Sequence, residues 1–90
     1  MATVTEVLTA ATDSVTVIND INTNGSDSVY WVLDATQTET NEMIQRNVDH
    51  LETILAYNGE PDQADIVGDS SDKSSYTDAI TTGKAYIAAN

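Results

Sequence analysis

A chain of 90 residues with no cysteine, 15 acidic side chains and only three Lys or Arg carries a formal charge of −12. That is the length of one domain (1–90); it offers no disulfide or thiol chemistry, and its charge disfavours nucleic acid and anionic lipid, which attract basic patches. No segment approaches the ~20 apolar residues that span a bilayer, and the opening MATVTEVLTA lacks the basic and apolar regions of a secretory signal, so the expectation from the residues is a soluble, cytoplasmic protein.

Residues 3–21 place Val4, Leu8, Ala11, Val15 and Ile18 on one helical face at spacings of four and three, with Glu6, Asp13 and Asp20 opposite. Against a helix stand many Thr and Val, which lose χ1 freedom there. Asn24-Gly25 is a breaker. After it SVYWVLD (Ser28–Asp34) repeats the pattern of SVTVIND (Ser14–Asp20) fourteen residues on. One reading pairs the two as a hairpin closed by a type I′ turn at Asn24-Gly25. The other makes both helical, with acids at Glu6, Asp13, Asp20, Asp27 and Asp34 on one face. The helical reading is preferred, because Tyr30–Leu33 is apolar on both faces of a strand and an isolated ribbon is marginal. Thr36-x-x-Glu39 and Asp34-x-x-Gln37 both fit a capping box, so a helix can restart near 35–40.

Thr40–Asn58 carries the clearest pattern. Ile44, Val48, Leu51 and Leu55 form a stripe flanked by Met43 and Ile54, and Asn58-Gly59 followed by Pro61 is a stop signal. Asn47, at the stripe edge, is expected to satisfy its amide on water or a backbone carbonyl. His50 is expected to be a packed boundary residue, because no cysteine or second histidine completes a soft-metal or nucleophile set. Arg46 can pair with Glu42 or Asp49 at helical spacing. Residues 59–73 read as a surface loop pinned by Ile66-Val67. Asp62, Asp65, Asp69 and Asp72 suggest calcium, but their spacing is not that of an EF-hand. Residues 74–89 repeat Tyr76, Ile80, Gly83 and Ile87 at four, three, four, with Ala79 and Tyr86 beside them; Ser75-x-x-Asp78 fits a capping box, Gly83 leaves room for a close helix, and Lys84 suits the helix dipole.

No Gly-rich phosphate loop, catalytic triad or metal constellation is signalled, so catalytic, cofactor-binding and metal residues are expected to be none and the protein is read as no enzyme. Ile44–Leu55 (IQRNVDHLETIL) and Ala79–Asn90 (AITTGKAYIAAN) resemble small structural and assembly proteins of tailed bacteriophages, which are short, acidic, Thr- and Asn-rich and cysteine-free. The resemblance covers under a third of the chain and implies a virion structural or assembly role, in capsid, neck or tail.

The expected fold is all-α, a small antiparallel three-helix bundle with one long central helix: helices at about 3–21, 28–58 (continuous or broken near 35–40) and 75–88. The alternative is α+β, with a hairpin at residues 14–34 packed on two helices. A central helix of 31 residues would run about 46 Å against about 21 Å for the third, leaving part of its stripe uncovered. Tyr30, Trp31, Val32 and Leu33 lie in that part, and aromatics favour interfaces, so these four are the expected partner interface. The expected partners are other protein subunits, by self-association or in a larger assembly, with no nucleic acid, membrane or small-molecule substrate. The rival function is an acidic DNA mimic that occupies a basic DNA-binding protein through its heptad acids.

Overall fold

In a computed structural model, which describes residues 4–56 and 74–90, the chain folds into three helices packed on one another. α1 spans Val4–Asn24, a 3-10 turn follows at Gly25–Asp27, α2 spans Gln37–Ala56 and α3 spans Ser74–Ala89. The architecture is an all-α three-helix bundle, and among the described residues no strand forms. The hairpin alternative for residues 14–34 is therefore corrected: Ser14–Asp20 lies inside α1, and Ser28–Asp34 lies in the connection to α2.

Cross-helix contacts give the directions. Ser14 meets His50, Ile18 lies near Gly83, Gly83 sits on Ile44 and Val48, and Gln37 meets Tyr86. α2 thus runs antiparallel to both neighbours, while α1 and α3 are parallel. The core is Ala11, Ile18 and Ile21 of α1, Ile44, Val48, Leu51 and Ile54 of α2, and Ala79 and Tyr86 of α3. Stripes at three-and-four spacing bring them together, because each helix buries one face against the other two. The centre of all three stripes differs from expectation, in α2 by one exchange: Ile54, expected at the flank, is buried and Leu55 is only partly covered. In α1 the buried line is Ala11, Ser14, Ile18 and Ile21, with Val15 only partly covered. In α3 it is Ala79, Gly83 and Tyr86, with Tyr76, Ile80 and Ile87 at its margins.

Gly83 explains the shift in α3. A Cβ placed there would lie 2.5 Å from Val48 Cγ2, 3.3 Å from Ile44 Cγ2 and 3.5 Å from Ile18 Cγ2. The missing side chain is what lets α3 approach both other helices, as the sequence led us to expect. Lys84, next to it, leans on α2 rather than on its own helix end: its Nζ is 3.5 Å from Glu52 Oε1. That exposed pair is the ion pair among the described residues. The pairing open to Arg46 with Glu42 or Asp49 does not form, and Asp49 accepts a hydrogen bond from Gln45 Nε2 at 2.8 Å. Asn47 donates to the Met43 carbonyl at 2.9 Å, which satisfies its amide at the stripe edge.

The long central helix is shorter than expected at its start. α2 begins at Gln37, and of the two candidate restarts the Thr36 one is used. Thr36 Oγ1 accepts from the Glu39 N–H at 3.1 Å, and Glu39 Oε1 accepts from the Thr36 N–H at 3.0 Å, a reciprocal capping box. With 20 residues α2 matches the 21 of α1, so the excess length that would have left a helical stripe uncovered does not exist. The heptad acids do not share one helical face either, because α1 stops at Asn24, before Asp27 and Asp34. α3 opens at Ser74, so Ser75 stands inside its first turn instead of capping it; Thr77 Oγ1 bonds the Ser74 carbonyl at 3.2 Å. The expectations for Asn58-Gly59, Pro61, Ile66-Val67 and the four Asp of 62–72 lie outside the described residues.

Candidate functional site

Between the end of α1 and the cap of α2 the chain makes a compact knot. Gly25 takes the left-handed conformation (φ 57), which stops α1 without a Cβ clash, and its carbonyl accepts from the Ser28 N–H at 2.9 Å. Two further turns follow: Trp31 N–H to the Ser28 carbonyl at 3.1 Å and Ala35 N–H to the Val32 carbonyl at 2.9 Å. Asp34 also has a positive φ, 65, a conformation that Asp tolerates better than most residues. It marks where the chain turns into the Thr36 cap.

Two side chains fasten this knot to the bundle. Ser28 is buried, and its Oγ accepts from the Tyr30 N–H at 3.1 Å. Its hydroxyl, with the Asn24 amide at 3.0 Å, also hydrogen-bonds the Asp20 carboxylate and holds that carboxyl below its ordinary value. Trp31 turns inward, half-buried against the core, and its Nε1 donates to the Ala35 carbonyl at 3.3 Å. The pinned backbone leaves the other large side chains outside. Val29 is 86% exposed, Val32 61%, Leu33 88% and Tyr30 37%, and these are the exposed large hydrophobics among the described residues.

Of the four residues expected at an interface, Tyr30, Val32 and Leu33 are thus presented to solvent, while Trp31 supports them from below. Val29 belongs with the exposed set and was missed. Its signal was available: an aliphatic between the Gly25 stop and the Thr36 cap has no helical face to join. Val32 and Leu33 also border a shallow groove of about 180 Å³, shared with Asp34 and with Glu39, Met43 and Arg46 of α2. Glu39 has its carboxyl held below the ordinary value by the backbone N–H and then the hydroxyl of Thr36. On the far side of Trp31, a wide hollow of about 550 Å³ opens between Ile21, Gln37, Tyr86 and Asn90. Gln37 Nε2 donates there to Tyr86 Oη at 3.0 Å and to Asn41 Oδ1 at 2.9 Å.

His50 does sit at the stripe boundary, and it meets a partner that sequence reasoning missed. Ser14 Oγ and His50 Nδ1 share a hydrogen bond of 3.0 Å. Serine beside histidine is the chemistry of an activated nucleophile, but Ser14 is only 4% exposed and faces the α1–α2 contact. The pair links α1 to α2, with the serine buried between them. Among the described residues no three His, Asp or Glu side chains gather as a metal site, and no helix is long and apolar enough to cross a membrane.

No family model matches this chain, and neither a curated protein nor a solved structure does. What stands in their place is a class set by the fold: an acidic three-helix bundle that displays an apolar loop.

Proposed function

We propose that the chain is a non-enzymatic structural or assembly protein that works through protein–protein contacts made by the Val29–Leu33 loop. The observation that carries the reading is the concentration of Val29, Tyr30, Val32 and Leu33, all exposed, on one loop held by Ser28 and Trp31. Clustered exposed aliphatics of this kind mark interaction surfaces, whereas single ones need no explanation. A virion role is supported by the resemblance of Ile44–Leu55 and Ala79–Asn90 to tailed-phage proteins. Both segments lie in packed helices, so the support concerns the scaffold more than the loop.

The test has two parts. Immunogold labelling of purified particles from the producing lysate should mark the virion; a chain confined to the soluble fraction would remove that role. Leu33→Gln should release the chain from whatever assembly contains it, read by sedimentation of the lysate; unchanged co-sedimentation would remove the loop from the contact.

A further inference from the structure

The charge around the loop says what kind of surface covers it. Asp27 stands at its head and Asp34 at its foot, both exposed, and Glu39 borders the same groove from α2. Arg46 is the cation on that groove, set against Asp34 and Glu39. The apolar centre therefore has a mainly acidic rim, within a chain of net charge −12.

A second copy of the chain would bring acid onto acid at this rim and −12 onto −12 overall, and like-charge juxtaposition disfavours such pairing. We propose that the Val29–Leu33 loop docks a different protein, one that presents an apolar patch ringed by Lys or Arg. This rests on the contact-surface reading above and adds the chemistry of the partner. The apolar residues supply the area removed from water, and the acids steer the encounter and reject acidic surfaces. Val32, Leu33 and Met43 line the groove that receives the partner's side chain.

Trp31, the single tryptophan of the chain, lies under the loop and reports on it. Two designed amphipathic helical peptides serve as probes, with the same leucine face and either a Lys or a Glu rim. Each is titrated against the full chain by Trp31 fluorescence. The Lys-rimmed peptide should bind at least about tenfold tighter than its Glu counterpart, and its affinity should fall between about 0.05 M and about 0.5 M salt. The combined variant Val29→Thr, Val32→Thr, Leu33→Gln changes no charge and touches only exposed positions, so helical circular dichroism should be kept. It should lose about tenfold or more of the Lys-peptide affinity.

Equal binding of the two peptides overturns the proposal, as does a combined variant that binds the Lys peptide as tightly as the parent. Sedimentation equilibrium of the chain alone separates the two levels. A self-associated species that strengthens with salt and vanishes in the combined variant refutes the basic partner but keeps the loop as a contact surface. A variant indistinguishable from the parent in both measurements refutes both.

Discussion

SVTVIND and SVYWVLD have nearly the same pattern and opposite fates. In the first, Ile18 is fully buried and Val15 and Val17 pack against the core; in the second, Val29, Val32 and Leu33 face water. Both open with a buried serine, yet Ser14 reaches across to α2 through His50 while Ser28 closes a local knot on Tyr30 and Asp20. The difference does not come from hydrophobicity. It comes from position between two stops, since Gly25 ends one helix and the Thr36 cap begins the next, leaving the second copy no helical face to bury. The same aliphatics serve folding in one place and are left available for contact in the other.

Matched substitutions break this comparison most directly. Ile18→Ala should cost about 2–5 kcal/mol in chemical denaturation, whereas Val32→Ala, at the equivalent place in the repeat, should stay within about 0.5 kcal/mol. Similar losses at both would mean that the loop is part of the core. Next in size is the crossing on which Ile18 depends. Gly83→Ala gains helix propensity worth about 1 kcal/mol but places its Cβ against Val48, Ile44 and Ile18. Overpacking of about 1–3 kcal/mol should offset or exceed that gain, giving a net loss of up to about 2 kcal/mol in the same assay; a stabilised variant would show that the helices yield easily.

The stop that defines the loop comes next. Thr36→Ala removes one half of the capping box and should lower stability by about 1 kcal/mol, with hydrogen exchange rising first at the amides of Glu39 and its neighbours. An unchanged exchange pattern there would mean that the cap does not set the start of α2.

The smallest effect is in acid. Asp20 and Glu39 have folded pKa values below their ordinary 3.8 and 4.5, through hydrogen bonds to Ser28 and Asn24 and to Thr36. Their stabilisation is complete above those ordinary values and is lost as pH falls through them toward the lower folded values. Relief of repulsion among 15 acids acts in the opposite direction, so the readout is a difference. Glu39→Gln should lose less stability than the parent between pH 6 and pH 3, and a parallel pair of pH curves would count against the Glu39 bond.

Much of the bundle was legible in the residues. Periodicity indicated three helices and most of the core, Thr36-x-x-Glu39 was one of two candidate restarts for α2, and Gly83 announced a close crossing. These are local properties, set by propensity, capping and one-faced patterning. The loop's residues were also picked out, though for an inadequate reason: an overlong helix with an uncovered stripe, where the chain instead has no helix between residues 28 and 36.

What the sequence by itself determined was that three amphipathic helices form and roughly which side of each is apolar, because those depend on neighbours within a turn or two. Only the tertiary structure decided that Ser14 meets His50, that Ala79, Gly83 and Tyr86 form the inner line of α3, and that Trp31 turns in while Val29 and Leu33 turn out. Each of these is fixed by how closely backbones approach across the bundle, and that distance is a property of all three helices together.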